Sequence, residues 1–340
     1  MLNWNGLRWL YKCLSSVIRT SRPNSDVYVV DNASTDGSVD YVREHFPHVK
    51  IISHPTNLGF AAGYNRALEK IKSEYSVLLN SDTEVLSPDW LQSLVKVAAA
   101  DPSIATVACK MVSMDNHEYL DSVGGMGIPF WRGFVDIGRG ERDEGQYDVR
   151  DFEPFSFCGG AALINRAAFE KAGGFDEKFF MYMEDVDLSW RFGLLGYGVK
   201  FAPHAKIAHF FSGTTGVKSV DAQKLFYCHR NLFRAILKNC GSTIWWALRN
   251  YLLFSLLMVV GFSVFAPKKA AAVAKALLWN LLNLKDTYSH RLVIQSIRKK
   301  SDAEILVSMY PKTCRYQPDD YPRSRRILNT LFEPAFTRAR

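Results

Sequence analysis

The chain has 340 residues, 48% of them hydrophobic and 13% aromatic, so it can bury the core of one large domain or two modest ones. Its six cysteines include no close CxxC pair, which is typical of reduced thiols in a cytosolic protein and excludes a disulfide framework. The polar residues Asn3 and Asn5 follow closely on Met1, and we expect no signal peptide.

The net charge of +8 is distributed unevenly along the chain. Residues 218–340 hold 21 lysines and arginines against 7 acidic residues, whereas residues 1–217 carry a net charge of −6. The basic segment is also apolar and rich in tryptophan and leucine. This combination favours an anionic membrane surface, and not nucleic acid, as its partner.

The first eighty residues alternate between helical and strand patterns, separated by polar or glycine-containing turns. This alternation predicts a doubly wound α/β fold with a mostly parallel, Rossmann-like sheet. The predicted elements are a helix (9–19), a strand (26–30), a loop and helix (31–42), a strand (50–53), a turn and helix (57–68) and a strand (75–79).

The last of these strands ends abruptly in the polar sequence NSDTE. Ligands of an open α/β sheet bind beyond the carboxyl ends of its strands, so Asp82 is predicted at the mouth of a crevice. A carboxylate there suits a hard divalent cation, which in turn suits a diphosphate. The alternative is that Asp82 merely caps the following helix, with Ser87-Pro88 at the helix start.

Three segments carry a family resemblance: residues 29–38 (VVDNASTDGS), 57–65 (NLGFAAGYN) and 78–82 (LLNSD). In this order and spacing they resemble the family 2 glycosyltransferases with the GT-A fold, closest to the bacterial rhamnosyltransferase- and galactofuranosyltransferase-like enzymes. The resemblance covers residues 1–235. It implies a nucleoside diphosphate sugar donor, UDP- or dTDP-linked, and a divalent cation, Mg²⁺ or Mn²⁺.

The resemblance assigns roles to single residues of these segments. It implies that Asp31 reads the nucleobase, and a carboxylate can indeed accept the imide N–H of uracil or thymine. An Asx-turn that closes the loop is the other interpretation of Asp31, and both could hold together. The resemblance also places Asp82 in the metal site. The remaining residues that it places at the nucleotide sugar are Asn32, Ser34, Gly63, Asn65 and Ser81.

Two features depart from the family pattern. Asn80 is the expected third metal ligand, but it stands where the motif often has its first aspartate, which leaves fewer anionic ligands for the cation. The family also has an apolar strand, central in the sheet, just before residues 3–6 (NWNG), whereas this sequence begins at Met1. We therefore expect an in-frame apolar stretch upstream of Met1, and a first strand that is missing here.

A second acidic cluster follows a long polar excursion. Residues 113–157 are expected to form a mobile acceptor loop, and residues 157–164 a strand preceded by a tight turn. Glu184, Asp185 and Asp187 then open a predicted helix, where carboxylates interact favourably with the helix dipole. The resemblance makes Asp185, in preference to its neighbour Glu184, the base that deprotonates an acceptor hydroxyl, and one positioned carboxylate suffices for inversion.

The segment after this cluster supplies the last predicted site residue. Asp187 and Arg191 are spaced i, i+4, which predicts an ion pair on the helix surface. Two edge-like strands are predicted next, and the second ends at His209. A lone histidine is usually structural, but the resemblance implies that His209, and not His204, completes the metal site.

The basic part of the chain is predicted to be helical, with apolar segments at residues 243–266 and 270–284. The charge-free run 251–266 is slightly short for a spanning helix of about 20 residues. A spanning hairpin would also place its lysine pair outside, against the positive-inside tendency, so a hairpin in the cytoplasmic leaflet, or re-entrant, is favoured. The alternative is a packed helical domain that buries its own apolar face or forms a homo-oligomer. The residues expected at the lipid surface are Trp245, Trp246, Lys268, Lys269, Arg298, Lys299 and Lys300.

The sequence thus predicts a GT-A catalytic domain (1–217), a helical membrane-associated region (218–300) and a basic tail (301–340). The predicted activity is inverting transfer of a rhamnose- or galactofuranose-like sugar to a lipid-linked glycan, at the cytoplasmic face of the plasma membrane, in cell-surface polysaccharide synthesis. No QxxRW-type motif follows the acidic helix, which disfavours a processive synthase. The alternative is a non-catalytic nucleotide-sugar-binding or scaffold protein at the membrane, which the two departures favour and the acidic cluster and His209 oppose.

Overall fold

The computed structural model describes residues 1–22, 24–128, 133–149, 151–210 and 221–310. The strands are β1 (Leu2–Asn3), β2 (Tyr28–Asp31), β3 (Lys50–Ser53), β4 (Tyr75–Leu79), β5 (Thr83–Val85), β6 (Ile104–Ser113), β7 (Leu120–Ser122), β8 (Gly125–Ile128), β9 (Gly133–Asp136), β10 (Ala161–Asn165) and β11 (Gly198–His209). The helices are α1 (Leu7–Arg19), α2 (Ser38–His45), α3 (Gly59–Lys70), α4 (Trp90–Ala98), α5 (Arg166–Lys171), α6 (Glu184–Leu194), α7 (Ala222–Asn239), α8 (Ile244–Phe265), α9 (Pro267–Leu282), α10 (Leu284–Ile297) and α11 (Asp302–Met309). A short 3₁₀ turn covers Glu177–Phe179.

The sheet has a parallel part and a largely antiparallel part. β1, β2 and β3 are parallel neighbours in that order. The second part has the order β4-β10-β6-β11-β5, in which β6 and β11 run parallel and the other neighbours antiparallel. A parallel bridge between Leu2 and Asn80 connects the two parts. The predicted α/β fold is confirmed, with a sheet that is mixed.

Helices cover both faces of this sheet because its strands alternate their side chains between two cores. Leu79 and Val29 pack with α1, α2 and α4 on one face. Leu78 and Ile164 pack with α3, α5 and α6 on the other. The adjacent residues Leu78 and Leu79 thus show the period of two that a strand buried on both faces requires.

The sheet does have a strand, β1, at the central position where we expected one to be missing, but this strand is only two residues long. Leu2 and Asn3 pair with Val30 and Asp31 of β2, and the bridge from Leu2 to Asn80 lies on the other side. The expected apolar stretch upstream of Met1 stays a prediction.

The two predicted edge strands form one internal strand, β11, between β6 and β5. Its register on β6 shifts between Ala202 and Lys206. Pro203 lies within this interruption and has no backbone N–H to donate, which explains why the sequence pattern looks like two strands.

The described part of the excursion between residues 113 and 157 is not a plain loop. β7 pairs with β6, and β8 and β9 form an antiparallel pair. Val123 and Ile137 are buried in the same core as Leu78. Apolar residues scattered among the polar ones therefore attach this segment to the sheet, while its expected mobility and acceptor role stay predictions.

The C-terminal helices share a core with the acidic helix. Trp190 of α6, Ile236 of α7 and Tyr251 of α8 belong to one buried cluster. α11, which lies in the predicted tail, joins this cluster through Ile305, and the rest of the tail, residues 311–340, lies outside the described residues.

Two predictions about these helices need correction. α8 has 22 residues because it begins at Ile244, so it is long enough to span a membrane. An 18-residue stretch within it has a mean hydropathy of 1.7, and 11% of that stretch is buried inside the protein. It is the one described helix that meets these criteria. Arg298 does not lie on the surface: its largely buried guanidinium pairs with Asp302.

Candidate active site

The predicted base and a predicted metal ligand both lie at the turn that precedes β10. Gly159 donates its backbone N–H to Oδ2 of Asp185 at 2.9 Å. A Cβ atom placed on the next residue, Gly160, would lie 3.6 Å from Nε2 of His209. The backbone N–H of Asn80 donates to the carbonyl oxygen of Gly160 at 3.0 Å. Two adjacent glycines therefore allow the acidic helix, the end of β11 and the end of β4 to meet.

Asp82 and His209 form the candidate metal centre. Oδ1 of Asp82 lies 3.6 Å from Nε2 of His209, and both side chains are buried. Asp82 does not cap a helix, because β5 begins at Thr83 and the next helix, α4, has Asp89 at its N-cap position. Two ligands at roughly 2.1 Å from one cation, at roughly a right angle, lie roughly 3 Å apart. A small approach of the two side chains would let them share a cation.

The other ring nitrogen of His209 contacts a carboxylate that the sequence analysis missed. Nδ1 lies 2.6 Å from Oδ2 of Asp121 in β7. Burial alone would lower the pKa of His209, but this hydrogen bond and the charge of Asp82 outweigh it and raise the pKa. A proton on Nδ1, assigned from this contact, leaves Nε2 free to bind a cation. No local motif marks Asp121, which only the pairing of β7 with β6 brings to the site.

Glu184 and Asp185 open α6 as predicted, but in different environments. Asp185 is partly exposed, and its Oδ1 accepts the backbone N–H of Val186 at 2.8 Å. Burial raises its pKa to about 6, with a smaller contribution from the charge of Asp136. Glu184 is buried, and burial and the charge of Asp185 raise its pKa well above the ordinary range. Asp185 is therefore the more exposed of the two carboxyl groups.

The predicted ion pair between Asp187 and Arg191 is present, at 2.9 Å, but it is not on the surface. Both side chains are buried, because α7 covers this side of α6. Lys238 of α7 adds a second cation 3.1 Å from Asp187. The pair thus joins the acidic helix to the C-terminal helices.

Asp31, the predicted nucleobase-binding residue, lies buried at the end of β2. Its Oδ2 accepts the backbone N–H of Ser34 at 3.0 Å, and its Oδ1 accepts Nδ2 of Asn3 at 3.1 Å. Oγ of Ser34 accepts the backbone N–H of Asn5 at 2.9 Å. The local turn around Asp31 is therefore present, while its contact with a nucleobase stays a prediction.

Asn32 and Gly63 lie next to each other behind this loop. Nδ2 of Asn32 donates to the carbonyl oxygen of Gly59 at 2.9 Å. A Cβ atom on Gly63 would lie 3.1 Å from the amide of Asn32, so glycine permits α3 to pack closely here. Ser81 is buried and lies against Gly6: a Cβ atom on Gly6 would lie 2.7 Å from Oγ of Ser81.

Asn65 is placed differently from the other predicted nucleotide-binding residues. Its Nδ2 donates to the carbonyl oxygen of Phe175 at 2.9 Å, and its Oδ1 accepts the backbone N–H of Phe175 at 3.0 Å. Its second amide proton faces Glu177 at 3.3 Å. The side chain thus fixes the turn before the acidic cluster, and its predicted place at the nucleotide stays a prediction.

Comparison with known proteins identifies the family. The family model Glycosyl transferase family 2 matches residues 1–173. An N-acetylglucosaminyl-diphospho-decaprenol L-rhamnosyltransferase of Mycobacterium tuberculosis is 29% identical over 223 residues, which cover 58% of this chain and 70% of the relative.

Two solved glycosyltransferase structures resemble the fold. A mannosyltransferase of Pyrobaculum calidifontis in complex with GDP-Man and Mn²⁺ has a TM-score of 0.50 at 18% identity, covering 92% of this chain and 86% of that one. GalNAc-T7 with UDP, GalNAc and Mn²⁺ has a TM-score of 0.59 at 14% identity, covering 91% and 57%. The chain therefore belongs to glycosyl transferase family 2, and it is a glycosyltransferase with the GT-A fold.

Proposed function

We propose that this glycosyltransferase inverts the anomeric configuration, uses Mg²⁺ or Mn²⁺, and moves a rhamnose- or galactofuranose-like sugar from a UDP- or dTDP-linked donor to a lipid-linked glycan. The observation that carries the proposal is the approach of Asp185 and His209 to the same Gly159–Gly160 turn. In an inverting transfer the base and the leaving diphosphate act on opposite sides of one anomeric carbon. A base and a group that binds the diphosphate must therefore lie near each other, as Asp185 and His209 do at this turn.

The metal part of the proposal rests on the donor set around Asp82. Within the described residues, no group of three or more His, Cys, Asp or Glu side chains is arranged to hold a metal ion. However, Mg²⁺ is usually bound by one or two carboxylates together with substrate phosphates, so Asp82 and His209, with Asn80 as a third ligand, suit a site that the donor completes. A cation there would neutralise the charge that develops on the leaving diphosphate.

The base is Asp185. Its carboxylate takes the proton of the acceptor hydroxyl while that oxygen forms a bond to the anomeric carbon and the bond from this carbon to the diphosphate breaks. A pKa of about 6 leaves Asp185 mostly ionised at neutral pH and makes it a stronger base than an ordinary aspartate. Burial and the charge of Asp185 raise the pKa of Glu184 well above the ordinary range, which disfavours a second charge beside the base.

The acceptor part of the proposal rests on an exposed apolar helical surface formed by α8, α9 and α10. Large apolar side chains are strongly exposed there, up to 88% for Phe265. Exposed lysines accompany them at Lys268, Lys275 and Lys285. Many exposed apolar side chains with adjacent cations are typical of a surface that binds anionic lipid. The name of the mycobacterial relative, N-acetylglucosaminyl-diphospho-decaprenol L-rhamnosyltransferase, agrees with an acceptor held in a membrane.

The apolar helical surface is proposed to lie in the leaflet and not to span it. α8 is roughly 33 Å long, which would suffice to span. However, Tyr251 of α8 donates to the carbonyl oxygen of His229 in α7 and stacks on Phe233. Since α7 packs on α6, a spanning α8 would carry the acidic helix towards the hydrocarbon. Adsorption on the cytoplasmic face keeps the site in water.

Hydrolysis of the donor tests the catalytic proposal without a known acceptor, because water can replace the acceptor hydroxyl. We expect the chain to hydrolyse dTDP-rhamnose or a UDP-sugar only with Mn²⁺ or Mg²⁺. Proton NMR of the first product formed should show the anomer opposite to that of the donor. Retention of configuration, or hydrolysis that is equal in EDTA, would contradict the proposal.

A further inference from the structure

The backbone that leads into α6 is strained. Phe180, Tyr182 and Met183 have φ values of 61°, 65° and 69°, in the left-handed region that side chains with a Cβ rarely adopt. The backbone N–H of Met181 donates to the carbonyl oxygen of Phe179 at 2.7 Å, which makes Phe180 the centre of a strained γ-turn. Such a segment persists only where its surroundings hold it, and it clusters at functional sites.

One side chain of α7 holds this segment. Nδ2 of Asn231 lies 3.0 Å from the carbonyl oxygen of Phe179, 2.9 Å from that of Met181 and 2.7 Å from that of Tyr182. Asn231 is completely buried. The segment does not pair these carbonyl groups as a helix would, so the two N–H groups of the Asn231 amide, shared among the three oxygens, act as donors to them. The carbonyl oxygen of Phe179 also accepts the backbone N–H of Met181.

Arg230 orients this amide. Its Nε–H donates to Oδ1 of Asn231 at 2.8 Å, which turns the NH₂ group towards the strained segment. Its Nη2 also donates to the carbonyl oxygens of Lys178 and Phe179, at 2.7 and 2.6 Å. The guanidinium lies 4.6 Å from the ring centre of Trp279 in α9, so the C-terminal helices in turn hold Arg230.

The opposite side of the segment touches the turn that begins α3. The backbone N–H of Phe60 donates to the carbonyl oxygen of Phe180 at 2.6 Å. A Cβ atom on Gly59 would lie 2.4 Å from the same oxygen, so only glycine allows this approach. Met183, at the other end, is the N-cap residue of α6, directly before Glu184. The segment therefore connects α3, α7 and the start of the acidic helix.

We infer that Asn231 is a positioning residue of the active site: it holds residues 179–183 in the strained form from which α6 starts, and so sets the place of Asp185. The inference rests on the proposed role of Asp185 as the base. It makes α7 a part of the catalytic machinery, in addition to its packing role beneath the apolar helical surface.

Hydrogen exchange of the full chain tests the inference, with Asn231→Ala compared with a matched control. Asn280→Ala removes an equally buried asparagine, whose Nδ2 donates to the carbonyl oxygens of Arg230 and Ala276 but does not contact the segment. We expect the amides of Met181 and Asp187 to exchange at least tenfold faster in Asn231→Ala and at the wild-type rate in Asn280→Ala.

Kinetics give the second readout. In Asn231→Ala, kcat for hydrolysis of dTDP-rhamnose with Mn²⁺ should fall at least tenfold, while the Mn²⁺-dependent affinity for UDP stays within twofold. Unchanged exchange, unchanged kcat, or the same losses in Asn280→Ala would overturn the inference. A wild-type chain that neither binds UDP nor hydrolyses a donor would contradict the proposed function instead. Hydrogen exchange would then still test whether Asn231 holds the segment in its strained form.

Two further measurements apply if Asn231→Ala does not fold. Asn231→Ser retains one hydroxyl donor and is judged by the same two readouts. In the wild-type chain, the amide of Met181 should exchange at least a hundredfold more slowly than in an unstructured peptide. Absence of that protection would overturn the inference without any variant.

Discussion

Oδ2 of Asp121 lies 2.6 Å from Nδ1 of His209, and both side chains are buried. The two residues are 88 positions apart in the chain and meet because β7 and β11 both pair with β6. A carboxylate behind a histidine fixes the ring orientation and raises the basicity of the nitrogen that faces the ligand. We therefore expect Asp121 to support the proposed metal centre without touching the cation.

Asp121→Asn tests this support. The amide has the size of the carboxylate but no charge, so Mn²⁺-dependent UDP affinity, measured by calorimetry, should fall by about 10- to 100-fold. Asp136→Asn is the matched control, since Asp136 lies on the neighbouring β9 and bonds Ser122 and Arg139. An unchanged affinity in Asp121→Asn, or an equal fall in the control, would argue against the role.

Asp82→Ala tests the metal ligand itself. Asn80 and His209 supply no negative charge, so the variant should lose the Mn²⁺-dependent part of UDP or dTDP binding and retain only the binding that EDTA leaves in the wild type. Calorimetry with and without Mn²⁺ measures both parts. Affinity for the nucleotide that still rises with Mn²⁺ as in the wild type would show that Asp82 is not a ligand.

The raised pKa of Asp185 predicts opposite effects of pH on activity and on stability. The base must be ionised, so kcat/KM for the donor should rise about tenfold per unit at low pH and level off above pH about 6. Because the folded pKa lies above the unfolded one, the folded state binds the proton more tightly between pH about 4 and about 6, and stability falls as pH rises through that window.

Asp185→Asn should consequently be more stable than the wild type at pH 7, by about 1–2 kcal/mol after allowance for the partial exposure of this side chain. Urea denaturation at pH 4 and pH 7 measures the difference, which should shrink at pH 4. A variant that is less stable than the wild type at pH 7 would show that burial of the ionised Asp185 does not lower the free energy of unfolding.

The apolar helical surface predicts adsorption to membranes. The full chain should float with vesicles that contain anionic lipid, and the double variant Leu256→Glu, Val260→Glu should not, since both side chains are exposed on α8. Val307→Glu is the matched control, because Val307 is 72% exposed on α11, outside this surface. If the wild type fails to float and sediments as a dimer, the surface is a homo-oligomer interface.

The sequence predicts the elements of the first half well because each strand there ends in a distinctive polar turn. β3 and β4 have the predicted bounds, and Glu184 begins its helix as predicted. Local patterns carry less information about pairing. The i, i+4 spacing of Asp187 and Arg191 predicts their contact but not their burial. The burial depends on α7, whose Lys238 lies 51 positions after Asp187.

The same limit applies to the site. Asp82, Asp185 and His209 can be selected from the sequence through the family resemblance. The structure brings Asp185 and His209 to one turn and places Asp82 beside His209. Asp121 and Asn231 cannot be selected in this way. The position of Asp121 depends on a non-local strand pairing. The role of Asn231 depends on a strained backbone that the residue pattern does not predict.

The central claim, catalysis by Asp185 at a cation-dependent donor site, is tested most directly by comparing donor hydrolysis and nucleotide binding in the wild type and in Asp185→Asn. With Mn²⁺ present, the variant should bind UDP or dTDP as the wild type does but lose turnover of the donor by a factor of about 10² or more. Equal loss of binding and turnover would give Asp185 a structural role, and retained turnover would exclude it as the base.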